Sequence, residues 1–272
     1  MSCSIMSPRF AARWMFAVVL SLAAPCAFAG KDADDKGDKR DKGDDSDSLV
    51  YPVNARPFGL DYAEWSARHW QWLYSLPVDA NPLFDTADCS AGQSGKVWFI
   101  GGTYAPTDMM MIGNTSFAAV TRTCEIPEGK ALFFPLVDAE ASTLEGNGVT
   151  EADLRGVAEF FASLIIPADL SLEIDGKSIK HLANHEFESP LFTFGPLPAN
   201  NVLLAGGTAA ALKGATSPSV SDGYFVMLKA LPVGHHTIHF TSTLDATSVG
   251  GPVFVQDVTY HLTVVPRRHD DK

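Results

Sequence analysis

Histidine side chains are the residues of this chain best suited to metal chemistry. They form two groups in the sequence, and a carboxylate accompanies the second: His181 with His185, and His239 with His261 and Asp257. Imidazoles four residues apart lie on the same side of a helix or a strand. Two imidazoles and a carboxylate across paired strands are a ligand set for zinc or copper. Neither spacing is diagnostic, and the alternative for the second group is a polar sheet surface where histidine stands beside threonine.

Two acidic residues follow an apolar run at a spacing that suits acid–base chemistry. Asp138 and Glu140 come directly after residues 131–137, and Glu145 follows soon after. Residues two apart share a face if the strand continues, and two carboxyl groups about 5–9 Å apart are what glycoside hydrolysis requires. Asp138 and Glu140 are therefore candidate catalytic residues. The alternative is a pair of solvated acids at a strand end.

A helix rich in tryptophan is predicted over residues 61–76. Asp61 and Glu64 form a capping-box pattern, and Pro77 ends the helix. At 100° per residue, one apolar face collects Tyr62, Trp65, His69, Trp72, Leu73 and Leu76. We expect this face to pack against the core.

His69 and Trp70 are the candidate ligand-binding residues of this helix. A histidine in the middle of an apolar face is usually buried and bonded to a carbonyl or a carboxylate. The alternative for His69 is a site residue whose pKa is shifted by burial. The flat faces of Trp65, Trp70 and Trp72 can also stack on sugar rings, although core packing explains Trp65 and Trp72. Trp70 lies toward the edge of the apolar face, which predicts that it is the most exposed of the three.

Sequence motifs of several enzyme classes are absent. The chain contains no G-x-S-x-G, no H-E-x-x-H, no P-loop and no dinucleotide-binding glycine pattern. The predicted function is therefore a non-enzymatic binding or structural module. A metal-assisted hydrolase that uses the histidines, or a glycosidase-like hydrolase that uses Asp138 and Glu140, remains the alternative. No cofactor is predicted, and zinc, copper and calcium stay open.

Most of the remaining chain has the pattern of short strands. Runs rich in β-branched and aromatic residues lie at 96–100, 117–123, 131–137, 170–174, 191–194, 224–229, 236–243 and 254–265. Asp175-Gly176 predicts a hairpin turn, and the last two runs alternate as strands with one buried face do. A second helix is predicted over 150–166, capped by Thr150 and ended by Pro167.

These elements predict the fold class and the domain organisation. Many short strands with two accessory α-helices indicate a mainly β protein, a two-sheet β-sandwich of immunoglobulin-like or jelly-roll type. We expect a single domain over 51–266 with a polar tail at 267–272.

Residues 1–29 have the pattern of a secretory signal peptide. Arg9 and Arg13 precede the apolar run 14–24, and the A-x-A sequence that ends at Ala29 predicts cleavage after that residue. The protein is therefore predicted to be exported, to the periplasm or the extracellular space. No later stretch reaches the ~18 apolar residues of a membrane helix, so no integral membrane segment is expected after signal removal.

Residues 30–50 are predicted to be a disordered tether of mixed charge, because they hold almost no residue that could anchor a core. Four of them faintly resemble an Asp-rich calcium loop: Asp32, Asp34, Asp35 and Gly37. Such a loop closes with a bidentate glutamate, and this segment contains none. The tether is therefore favoured over the calcium site.

Charge and cysteine content limit the partners and the redox state. The formal net charge is −12, which disfavours binding to nucleic acid and to anionic lipid. A glycan or protein partner remains possible, and the sequence gives no oligomeric state. Cys3 and Cys26 lie in the predicted signal, so Cys89 and Cys124 are left to form one disulfide in an oxidising compartment.

Three stretches resemble a group of exported bacterial proteins of unknown function. They are Tyr62-Ala-Glu-Trp-Ser-Ala-Arg-His-Trp-Gln-Trp72, the stretch from Thr121 to Pro135, and the stretch from Asp222 to Phe240. The resemblance covers most of residues 57–265. It implies export and a bacterial source, and it brings no activity, cofactor or catalytic residue.

Overall fold

The computed structural model describes residues 47–84 and 88–267. The predicted signal peptide, residues 30–46 of the predicted tether with its calcium alternative, and residues 268–272 of the predicted tail lie outside the described residues. The tether boundary at residue 50 is wrong, because Val50 is buried in the core and forms a bridge with Leu228. Leu49 packs against the same core, so the folded domain begins at about residue 49.

The predicted mainly β, two-sheet sandwich is confirmed. One sheet contains β1 (Val97–Phe99), β4 (Ala131–Ser142), β7 (Glu186–Glu188), β8 (Phe192–Phe194) and β9 (Ser217–Leu228). The other contains β2 (Met110–Ile112), β3 (Thr115–Pro127), β5 (Ser171–Ile174), β6 (Lys177–Ser178), β10 (Gly234–Asp245) and β11 (Val253–Val265). Phe134 and Phe240 meet across the core with ring centroids 5.3 Å apart.

Each sheet contains both parallel and antiparallel strand pairs. The alternation of buried and exposed residues along a strand does not predict this difference. β1 pairs with β4 in parallel, and β3 pairs with β11 in parallel. The other pairs are antiparallel, including the predicted pair β10 and β11 and the predicted hairpin of β5 and β6 at Asp175-Gly176. The six-stranded sheet has the order β2-β3-β11-β10-β5-β6, so the last strand of the chain lies near its centre.

Three α-helices accompany the sheets. α1 (Tyr62–Ser75) has the predicted capping box of Asp61 and Glu64, and α2 (Glu151–Ala162) is capped by Thr150 as predicted. α2 ends before the predicted residue 166 because Ile165 forms a β-bridge with Leu244 of β10. The third, α3 (Val202–Ala205), is a single turn that the sequence analysis missed. No helix in the described parts of the chain is long and apolar enough to cross a membrane.

A β-bulge in β4 decides which way its acidic residues face. The register against β9 shifts between Pro135 and Val137, so one extra residue stands on β4. Phe133 packs against α1, whereas Phe134 belongs to the core between the sheets. After the bulge, Asp138 takes the orientation of Phe133 and therefore faces α1.

Gly223 of β9 stands directly opposite Asp138. Its φ of +155° is a conformation that favours glycine, and an added Cβ would lie 2.4 Å from the Asp138 Cα. This glycine allows the close approach of the two strands at Asp138.

The predicted disulfide between Cys89 and Cys124 is confirmed, with the two Cα atoms 5.7 Å apart. It fastens the segment that precedes β1 to β3 of the six-stranded sheet. The closed loop spans 35 residues and contains all of residues 97–104.

Candidate functional site

A pocket of about 170 Å³ lies beside the edge of β4. β1 covers this edge only as far as Phe133, because its last paired residue, Phe99, stands opposite Phe133. After β1 the chain continues past this edge as the irregular segment 101–104, which forms one wall of the pocket. We name this cavity the Asp138 pocket. It brings together four residues that the sequence analysis had singled out separately: His69, Trp70, Asp138 and Glu140.

Asp138 is held by Trp70 of α1. The Trp70 Nε1–H donates to Asp138 Oδ2 at 2.6 Å. Trp70 is buried, with 8 % of its surface exposed, so the prediction that it is the most exposed of the three tryptophans is wrong. The reason is that both sides of α1 are covered, one by the sheet and the other by the segments that carry β8 and α3. Burial raises the pKa of Asp138 to about 8, and the charges of Glu140 and Asp222 add to the rise.

Glu140 and Glu145 form a carboxyl–carboxylate pair in the same pocket. Burial raises the pKa of both groups, and the charge of Glu140 helps to hold the pKa of Glu145 well above its usual range. Tyr74 Oη donates to Glu140 Oε2, Ser219 Oγ donates to Glu140 Oε1, and Ser142 Oγ donates to Glu145 Oε2. The alternative that Asp138 and Glu140 are solvated acids at a strand end is therefore wrong, because both are partly buried in the pocket and hydrogen-bonded to α1.

His69 is buried as predicted, and one ring nitrogen bonds a carbonyl. His69 Nε2 lies 3.2 Å from the carbonyl oxygen of Ile100, so Nε2 carries the hydrogen and Nδ1 has a free lone pair. Burial lowers the pKa of His69 to about 4, and the ring is neutral at pH 7. Nδ1 is buried and has no hydrogen-bond partner in the described residues.

Thr103 provides a second polar atom of the same kind. Its backbone N–H donates to Gln256 Oε1 at 3.1 Å, but its Oγ1 is buried without a partner in the part of the chain that the structure describes. Thr103 and His69 are 4 % and 2 % exposed, and both line the pocket. The rest of the lining is mostly apolar, with aromatic rings from Tyr104, Phe161 and Phe254.

Arg122 of β3 fixes the wall of the pocket from behind. Its buried guanidinium donates to the carbonyl oxygens of Pro82, Gly101 and Gly102 and to Tyr260 Oη. Gly101 and Gly102 line the pocket, so the hydrogen bonds of the Arg122 side chain position the backbone of this wall. A planar guanidinium can reach several acceptors at once, which an ammonium cannot.

Replacing Arg122 with lysine is expected to destabilise the protein by about 2 kcal/mol, because the ammonium keeps the charge but loses at least two of these hydrogen bonds. Urea unfolding measures the difference. The matched control is Arg56→Lys, since Arg56 is exposed and its ion pairs lie at the surface. Equal losses of stability in Arg122→Lys and Arg56→Lys would show that the hydrogen bonds of the Arg122 guanidinium do not hold the pocket wall in place.

The predicted metal ligands are not brought together as expected. Across the β10–β11 pair, His261 stands opposite Thr237 and His239 stands opposite Thr259, so the two imidazoles are offset rather than facing each other. His239 Nε2 lies 2.9 Å from Asp257 Oδ1, which forms a surface pair. Over residues 47–84 and 88–267, no group of three or more His, Cys, Asp and Glu side chains is arranged to hold a metal.

His181 and His185 also differ from the expectation. They flank a 3₁₀ turn, neither a helix nor a strand, and His181 adopts a φ of +59°. His181 is exposed, whereas His185 is buried with its Nδ1 3.1 Å from the Phe225 carbonyl oxygen. The helix or strand on which the prediction of a shared side depended is therefore absent at these two residues.

Tyr74, Thr103 and Gln256 belong to the site or its wall and were not predicted from the sequence. Tyr74 had a usable signal, because it follows Trp70 at the i,i+4 spacing that places both side chains on one side of α1. Thr103 and Gln256 lie in segments with no distinguishing pattern. Their contact, 153 residues apart in the chain, arises only from the tertiary structure.

No protein-family model and no curated protein matches this chain. Among solved structures, it has a weak similarity to a cysteine protease inhibitor, EhICP2, from Entamoeba histolytica. The identity is 13 %, the match covers 55 % of this chain and 96 % of that chain, and the TM-score is 0.19. A similarity of this size carries no argument about fold or function.

Proposed function

We propose that this protein is an exported, non-enzymatic binding module that holds one small molecule in the Asp138 pocket. The observation that carries the proposal is that two residues of the pocket lining, His69 and Thr103, each have a buried polar atom, Nδ1 and Oγ1, without a partner in the described residues. Each buried polar atom without a partner costs about 1–3 kcal/mol. A ligand that bonds both atoms recovers this cost.

The volume sets the size of the ligand. An engineered apolar cavity of about 150 Å³ in another protein binds benzene. The Asp138 pocket, at about 170 Å³, accommodates a ring of that size with one small substituent. Its apolar and aromatic lining suits such a body, and the few polar atoms orient it.

The bonding of Glu140 weighs against the glycosidase-like alternative. Both carboxyl oxygens of Glu140 already accept hydrogen bonds, from Tyr74 and from Ser219. A nucleophile or a general base needs an accessible oxygen, so Glu140 is poorly suited to either role.

Export rests on other observations. The signal-peptide pattern of residues 1–29 and the Cys89–Cys124 disulfide both support it, as does the resemblance to exported bacterial proteins.

Titration with benzyl alcohol, followed by NMR at the Trp70 indole N–H, tests the binding function. We expect saturable shifts with a dissociation constant of about 1 mM, since about −0.5 kcal/mol per non-hydrogen atom is ordinary for so small a ligand. Ala139 lines the pocket, so Ala139→Leu should abolish the shifts. The control Ala152→Leu lies on an exposed site of α2 and should leave them unchanged.

A second variant keeps the test decisive if Ala139→Leu does not fold. Thr103→Val removes the hydroxyl that has no protein partner and conserves the shape of the side chain. It should fold normally and bind benzyl alcohol more weakly. Shifts that do not saturate in the parent protein, or that are equal in all variants, would refute the proposal.

A further inference from the structure

The charged groups around the Asp138 pocket are unbalanced. Asp138, Glu140 and Glu145 line it, and no lysine or arginine appears among the described residues of the lining. Buried carboxyl groups normally pair with a cation or take up protons. Here the only basic side chain in the lining is His69, whose ring is neutral.

Three polar atoms of the lining residues can accept a hydrogen bond and have no partner within the described residues. His69 Nδ1 can only accept, because Nε2 holds the ring hydrogen. Asp138 Oδ2 accepts from Trp70, and within the described residues Oδ1 has no hydrogen bond. Thr103 Oγ1 can accept as well. An ammonium group carries three donors and no acceptor, which complements this set.

The aromatic lining favours a cation too. The rings of Trp70, Tyr104, Phe161 and Phe254 surround the pocket, and aromatic faces attract ammonium groups. The same rings pack against an apolar body. The acceptors and the rings therefore select a molecule with one positive end and one apolar end.

We propose that the Asp138 pocket selects a small primary amine in its ammonium form, on a compact apolar body of about benzyl size. The ammonium bonds Asp138 Oδ1, His69 Nδ1 and Thr103 Oγ1, and the apolar body lies among the aromatic rings. This inference rests on the proposed binding function and adds the chemical class of the ligand.

Binding of a cation is coupled to proton release. With burial raising the pKa of Asp138 to about 8, its carboxyl holds a proton at pH 6 to 7 that the ammonium must displace. The ionisable groups around it are His69 and Tyr74 from α1, Glu140 on the same strand, Glu145 in the following turn and Asp222 from β9. The apparent affinity should rise about tenfold per pH unit from pH 6 to 8 and level off above, because one proton is exchanged.

Isothermal titration calorimetry with three probes of similar shape tests the class of ligand. At pH 8 we expect benzylamine to bind at least ten times more tightly than benzyl alcohol, and benzoate not to bind. Titrations in buffers of different ionisation enthalpy should show that one proton is released at pH 6.5. Asp138→Asn should lose the preference for the amine and keep the binding of the alcohol. The control Asp169→Asn changes an exposed carboxylate and should behave as the parent protein does.

The outcomes separate the two proposals. Equal affinity for the amine and the alcohol, or tighter binding of benzoate, overturns selection of an ammonium and leaves the binding function standing. No binding by any probe overturns the binding function as well. Preference for the amine that survives in Asp138→Asn overturns the role of Asp138.

Discussion

Replacing Asp138 with asparagine is expected to stabilise the protein by up to about 5 kcal/mol at pH 8 and above and to leave its stability nearly unchanged near pH 4. The pKa of this carboxyl rises from 3.8 to about 8 on folding. At about 1.4 kcal/mol per pKa unit, the ionised form is that much less stable in the folded protein than the neutral form. Asparagine is always neutral and can still accept from Trp70, so it avoids this cost.

The direction of this pH dependence follows from the number of protons that the folded and the unfolded states bind. Between pH 4 and 8 the folded protein keeps a proton on Asp138 that the unfolded chain has lost. The free energy of unfolding therefore falls as pH rises through this window. Asp222, whose pKa burial raises to about 6, and Glu140 and Glu145, whose pKa values burial also raises, add decreases of the same sign that remain in the variant.

Urea unfolding at pH 4.5, 6 and 8 measures the effect. The stability of the parent protein should decrease strongly across the series, and that of Asp138→Asn should decrease less, by the contribution of Asp138 alone. Asp169→Asn should follow the parent. Parallel curves for the parent and Asp138→Asn would mean that Asp138 is ionised in the folded protein at neutral pH.

Removing the disulfide is expected to cost about 3–4 kcal/mol. The variant replaces both Cys89 and Cys124 with alanine, and the value is what the chain-entropy model gives for a closed loop of 35 residues. The same loop contains residues 101–104, which form the pocket wall. We therefore expect benzyl alcohol to bind more weakly, because a wall that must be ordered on binding lowers the affinity.

The measurement is urea unfolding of the double variant beside the parent protein with and without dithiothreitol. Reduction should lower the stability of the parent to that of the variant and should not affect the variant. A stability loss without any change in benzyl alcohol binding would show that Arg122 and Gln256 hold the wall without help from the disulfide.

The sequence predicted the elements with strong local signals. The capping boxes of α1 and α2 and the clean alternation of β10 and β11 were read correctly, because each depends on residues close together in the chain. The parallel pairs β1–β4 and β3–β11 were not predicted. They depend on which distant strands meet, and a period of two residues is the same for parallel and antiparallel partners.

The candidate site was predicted only as separate residues. Asp138 and Trp70 were both named, but their contact spans 68 residues and no local pattern relates them. The bulge after Pro135 reverses the direction of Asp138, and a one-residue shift of this kind moves side chains to the opposite face. The two predicted histidine sites do not form for a different reason. The spacing in the sequence allows a shared site, but the strand register offsets His239 from His261. In the other pair, a 3₁₀ turn lies between His181 and His185.

The position of β11 has a consequence for how this protein folds. β11 is the final strand of the chain, yet it lies between β3 and β10, and its pairing with β3 joins residues about 138 positions apart. The six-stranded sheet cannot assemble before β11 has been synthesised. Contacts this distant in sequence form slowly. The nascent chain therefore stays without this central pairing until β11 is available.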